Sequence, residues 1–422
     1  MDYVKYEMGN YNLYFIKTKK FKTITISLNF RKEITPKDEV YSTLLKNVLM
    51  YATNRYHNLD DLCRASMEVY DPSVKIGYTR SGLDQSLYLD STFASEKYTE
   101  KGMNAKTLKF IFDYIWNPYA DNGEFNQKVF EICQHEYVND MRSIKDNPDR
   151  YTRERVWEEM EVFPFEEFNA LECAEFAEKM TSKDLYNYYL TLFTDNSLDI
   201  FVTGDFDEEE MKAIIGKLVK GNFKESHQSR FIVQKARKER EIKEKADISQ
   251  SKLAIGLRFT DLTEFEHKYV SLAYNNILGG GWNSKLNKVV REKNSLCYYV
   301  YANRRMPFGI SFIFSGIDAG DYEKALKLIK EEIARMSTDV TEDELKEVKD
   351  LYNNALTDIE DKQISISENV ISQVLAGTDT VQKRRENMEK VTVDDVKQIA
   401  KKVHIDTIYL LEGGKASGKE NL

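Results

Sequence analysis

The succession of strand-like and helix-like segments between residues 12 and 203 recurs between residues 252 and 411. This duplication constrains the fold more than any other feature, because a repeated pattern calls for a repeated structural unit. Lys252–Phe259 alternates like Thr23–Phe30, and the helical periodicity of Glu266–Leu278 answers that of Lys37–Tyr51. Ser284–Glu292 then answers Asn58–Glu68, Cys297–Ala302 answers Ser73–Tyr78, and Gly309–Ser315 answers Ser86–Ser91. A long helix opening at Thr341 corresponds to one near Glu124, and Ile408–Leu411 corresponds to Ile200–Thr203. The expected class is α+β, as two tandem homologous domains, each a mostly antiparallel β-sheet packed against helices. The boundaries fall at residues 1–234 and 248–422. Residues 235–247, a run of alternating charge with little apolar content, read as a solvated linker. Within the first repeat, Asn12–Ile16 and Thr23–Phe30 read as a hairpin.

A chain of 422 residues exceeds the usual size of one core, which agrees with two domains. The net charge of −9 argues against a general nucleic-acid binder, which would carry a basic face, but leaves room for a cationic peptide. Cys63, Cys133, Cys173 and Cys297 form no C-x-x-C pair, the pattern of reduced thiols in a cytoplasmic protein. Neither an N-terminal secretory run nor an apolar stretch of about 20 residues is present, so no membrane association is expected.

The densest chemistry lies in Ile277–Ala302. Gly279, Gly280 and Gly281 interrupt an apolar helical run, Leu286, Val289 and Val290 reopen it, and Arg291 closes it. Asn294-Ser295 reads as a turn into a strand containing Tyr298. Arg291 and Tyr298 can converge on one substrate group, or pack as a buried contact joining helix to strand.

Three short signatures lie in this half: LGGG-x-x-S-x-L at Leu278–Leu286, R-E-K-x-x-L-x-Y at Arg291–Tyr298, and V-T-x-x-D-V at Val391–Val396. Asp146-Asn147-Pro148-Asp149-Arg150 and Val202-Thr203-Gly204-Asp205 add landmarks in the first. Together with the duplication they resemble the pitrilysin/insulinase-type (inverzincin) zinc peptidases, in the short-chain branch that works as two-subunit enzymes. Zinc-less bacterial chains of this kind include those associated with elongation-factor-P aminopentanol modification and others linked to maturation of ribosomally made peptides.

The resemblance implies H-x-x-E-H on the first long helix, with a distant Glu as third zinc ligand. Here the corresponding positions are Thr43, Lys46 and Asn47, with Asp140 nearest the third-ligand position. An ammonium in such a site opposes a divalent cation, so no zinc is expected on this chain, only on a partner. His135 with Glu136 and Asp140 is the one local cluster of metal-binding residue types, and it reads as a polar helix face. The family's C-terminal Arg and Tyr, which hold the substrate backbone, match Arg291 and Tyr298, with Gly279, Gly280 and Gly281 beside them. The implied function is a zinc-less, non-catalytic subunit of a heterodimeric peptidase, pairing with a homologous zinc-bearing subunit and holding a peptide substrate. The alternative is a catalytically silent homodimeric scaffold.

Overall fold

A computed structural model describes residues 2–162 and 169–414. It contains two large sheets that share a five-strand order, the first with one further edge strand. The first is built from β1 (Val4–Glu7), β2 (Asn12–Lys17), β3 (Thr23–Glu33), β4 (Ser73–Ser81), β5 (Asp84–Ala94) and β8 (Ser197–Gly204). Between β5 and β8 the short pair β6 (Ala120–Asp121) and β7 (Glu124–Phe125) stands apart. The second sheet comprises β9 (Arg240–Lys245), β10 (Ser251–Phe259), β11 (Cys297–Arg305), β12 (Ile310–Ile317) and β13 (Val403–Glu412). The orders are β1-β2-β8-β3-β5-β4 and β9-β13-β10-β12-β11. In each, one parallel pair (β2 with β8, β9 with β13) adjoins antiparallel neighbours, so the repeat read from the sequence is a repeat of topology.

Two expectations are corrected by these pairings. β2 and β3 form no hairpin, because β8 lies between them and bonds to both. The stretch 235–247 is not simply a solvated connector: Arg240–Lys245 is a strand, the second repeat's counterpart of β2. Its alternating Lys and Glu suit an edge, where charge discourages pairing with another chain.

The helices follow in chain order. They are α1 (Asp38–Tyr51), α2 (Leu59–Met67), α3 (Met103–Trp116), α4 (Gln127–Arg142), α5 (Pro148–Glu159), α6 (Ala170–Lys179), α7 (Ser182–Thr191) and α8 (Glu208–Leu218). The second repeat adds α9 (Ser271–Gly279), α10 (Tyr322–Arg335), α11 (Glu342–Asp358), α12 (Gln363–Ala376), α13 (Val381–Lys390) and α14 (Val393–Ala400). None is long and apolar enough to cross a membrane, among the described residues.

The chain divides into two compact units whose membership crosses the repeats: residues 1–142, 170–230 and 358–380, then 143–169, 231–357 and 381–422. This partition by packing differs from the sequence boundary at 234/248, because each repeat lends one helix to the other unit. In the first unit, Ile366, Val370 and Leu375 of α12 cover Tyr14, Ile16 and Phe201. Gln363 anchors that helix, its side-chain amide donating to the carbonyls of Thr23 and Thr203, each at 2.8 Å. In the second unit, Val156 of α5 and the following Met160 and Val162 cover Ala254, Phe312 and Tyr409. Arg155 fastens α5 to β9 through Glu244 at 2.9 Å. A helix on one face and several on the other explain why β8 and β12 are buried at every position rather than at alternate ones.

Candidate functional site

The site grows out of the end of α9. Its last residue, Gly279, lies so close to β11 that a Cβ there would sit 2.7 Å from both the Cβ and the backbone nitrogen of Ala302. Only glycine allows that approach. Gly280 is crowded by Asn276, whereas Gly281 faces open space. Trp282 follows, 70 % exposed. The chain then winds through a π-helical stretch, Asn287–Lys293, a wider coil than the α-helix read from the sequence. Such insertions re-aim side chains and recur at functional sites. Ser295 takes a left-handed turn at φ 52° and β11 begins.

At the start of β11 the register with β12 slips: Cys297 pairs with Ile317 but Tyr299 with Gly316, leaving Tyr298 as the extra residue of a bulge. A bulge turns its residue out of the ladder, and Tyr298 is 67 % exposed with no hydrogen bond to its hydroxyl among the described residues. Tyr299, by contrast, is pinned. Its hydroxyl bonds to Asp149, which also pairs with Lys252 at 3.1 Å, and the Lys252 ammonium lies 5.3 Å from the Tyr299 ring centre. Burial works to raise the Asp149 carboxyl, but the Tyr299 hydroxyl and Lys252 prevail and hold it below the usual carboxylate range. Burial, reinforced by Asp149, pushes the Tyr299 phenol upward.

Arg291, Tyr298 and the three glycines line one cavity of about 250 Å³, together with Trp282, Asn287 and Tyr299–Tyr301. The Arg291 guanidinium lies over the Trp282 ring, 4.6 Å from its centre, and has no carboxylate partner among the described residues. Asn287 is buried, yet its side-chain oxygen accepts no hydrogen bond. The cavity therefore offers unspent donors on Arg291 and Tyr298, the complement of a peptide unit's C=O. Arg291 and Tyr298 do not form the buried contact that the sequence also allowed: Tyr298 is exposed, and no hydrogen bond joins the two among the described residues. Sequence reasoning missed Asn287, Trp282 and the Asp149–Lys252–Tyr299 cluster. Trp282, an aromatic placed directly after three glycines, was the available signal.

The degenerate metal positions lie elsewhere. Thr43, Lys46 and Asn47 are half-exposed on α1, whereas Val40, Leu44, Leu45 and Val48 of the same helix are buried. Asp140 is exposed on α4. A hydroxyl, an ammonium and a carboxamide do not fit zinc, which takes thiolate, imidazole or carboxylate ligands. Among the described residues no three His, Cys, Asp or Glu side chains gather to hold a metal ion. His135 is exposed and hydrogen-bonds Asn139 of its own helix at 3.1 Å.

Residues 179–352 match the family described as the peptidase M16 inactive domain. A Bacillus subtilis protein described as a probable inactive metalloprotease, YmfF, is 25 % identical over 98 % of this chain and 99 % of its own. Among solved structures, a conserved protein from Enterococcus faecalis superposes with a TM-score of 0.90 at 22 % identity, covering 99 % of this chain and all of that one. A peptidase M16 inactive domain from Pseudomonas fluorescens gives 0.80 at 15 % identity, covering 99 % of each chain. The architecture is thus M16-like over essentially its full length.

Proposed function

Proceeding from a chain that is a homologue of the M16 (pitrilysin) inactive domain, we propose that it is the zinc-less subunit of a two-chain metallopeptidase. In this reading a homologous partner carries the zinc, and this chain supplies one wall that holds the peptide. The carrying observation is the pairing of an unusable metal face with an unspent peptide-binding one. Thr43, Lys46 and Asn47 give no ligand set, while Arg291 and Tyr298 line a cavity with no carboxylate or hydrogen-bond partner for either side chain among the described residues. Arg291 offers a planar fork of donors and Tyr298 a single O–H, both suited to a peptide carbonyl or the oxyanion that develops from it. The glycine loop lets an extended backbone come close.

The test is reconstitution with a zinc-bearing homologue recovered by pull-down. Tyr298→Phe removes one hydrogen bond and leaves the exposed ring in place, so turnover should fall roughly 10²–10³-fold with melting temperature and subunit association unchanged. Arg291→Lys should also impair turnover, because a point charge cannot reproduce the fork. Unchanged turnover in both variants would reject the reading in favour of a catalytically silent scaffold. Metal analysis finding about one tightly held zinc in the chain alone would also reject the reading.

A further inference from the structure

Trp282 lines a second cavity, also about 250 Å³, on the other flank of the glycine loop. Its floor is apolar: Ile277 and Val348 are buried, and Leu351 of α11 is 60 % exposed beside them. Two carboxylates stand on its wall, and they differ. Glu344 is neutralised by Lys285 at 2.9 Å and accepts the backbone N–H of Thr341. Glu347 accepts only the side-chain amide of Asn283, at 2.6 Å, and no ammonium or guanidinium pairs with it among the described residues. Glu347 is thus a half-buried carboxylate beside an apolar cavity, held by a neutral donor and without a cationic partner among the described residues. The loop therefore separates sites of opposite sign, with the unpaired Arg291 on one flank and the unpaired Glu347 on the other.

We propose that this second cavity is a subsite for a cationic side chain, lysine or arginine, of the peptide whose backbone the first cavity holds; it rests on that reading of the first cavity. Such a side chain carries its charge at the end of an aliphatic stem, so the stem lies on Leu351 and Val348 while the head reaches Glu347. Norleucine, matching lysine's stem without the charge, would keep the apolar contact and lose the ion pair.

The experiment titrates the purified full chain against two extended ten-residue peptides differing only by lysine or norleucine at one position, read by the fluorescence anisotropy of a dye on the peptide. In low salt the lysine peptide should bind about fivefold tighter, the difference expected of one partly exposed ion pair. Glu347→Gln, which retains an acceptor for Asn283, should erase that preference without weakening the norleucine peptide. Raising the salt to about 1 M should shrink it in the wild type. Arg291→Lys should weaken both peptides equally. Equal binding of both peptides by the wild type, or a preference surviving Glu347→Gln, overturns the subsite and leaves the first cavity's role intact. Binding of neither peptide overturns both.

Discussion

At the scale of single residues, the members of the glycine run face different demands. Gly279 is required by contact, because a methyl group there meets both side chain and backbone of Ala302. Gly281 meets nothing. Gly279→Ala should therefore cost about 1–3 kcal/mol in urea unfolding, as overpacking does, whereas Gly281→Ala should leave stability within about 0.5 kcal/mol. Equal effects would mean the loop is not held against β11 as described. The sequence made the run conspicuous but could not rank its members, since crowding depends on a residue 23 positions away. Tyr298 was legible as a candidate, yet its outward aim comes from a register slip against β12 that no local pattern announces. Asn287 was invisible for a similar reason. A polar residue in a helical stretch reads as surface, and only the fold buries it beside an empty cavity.

At the scale of elements, amphipathic helices and inward-facing strands were readable because their periodicity is local. Partners were not. β9 escaped because an edge strand of alternating Lys and Glu has the composition of a linker. The supposed β2–β3 hairpin failed because a strand from 170 residues onward fits between them. The same non-local logic governs α12, whose first residue, Gln363, ties it to two strands of the first sheet. Removing that side chain by Gln363→Ala leaves the Thr23 and Thr203 carbonyls without that donor in a buried setting, at about 1–3 kcal/mol. A lowered urea midpoint with an unchanged slope is the expected result. An unchanged midpoint would show that Gln363 is dispensable for fixing this helix.

At the scale of the whole molecule, the duplication seen in the sequence is real, but its copies are not self-sufficient. A fragment ending at residue 234 lacks α12, and one beginning at 248 lacks α5 and β9. Each should be soluble only poorly, bind a hydrophobic dye and unfold without a cooperative transition. Produced together, they should recover a 1:1 complex with one sharp melt. Cooperative unfolding of either fragment by itself would show the exchanged helices to be dispensable. The exchange also has a consequence on the ribosome. Every other part of the first unit has emerged by residue 230, but α12 is complete only at residue 376. At roughly 5–20 residues per second, Tyr14, Ile16 and Phe201 wait about 7–30 s for their cover. Throughout that interval a nascent sheet presents an apolar face to the cell, so the order in which this chain is synthesised makes its earliest half the one most in need of a chaperone.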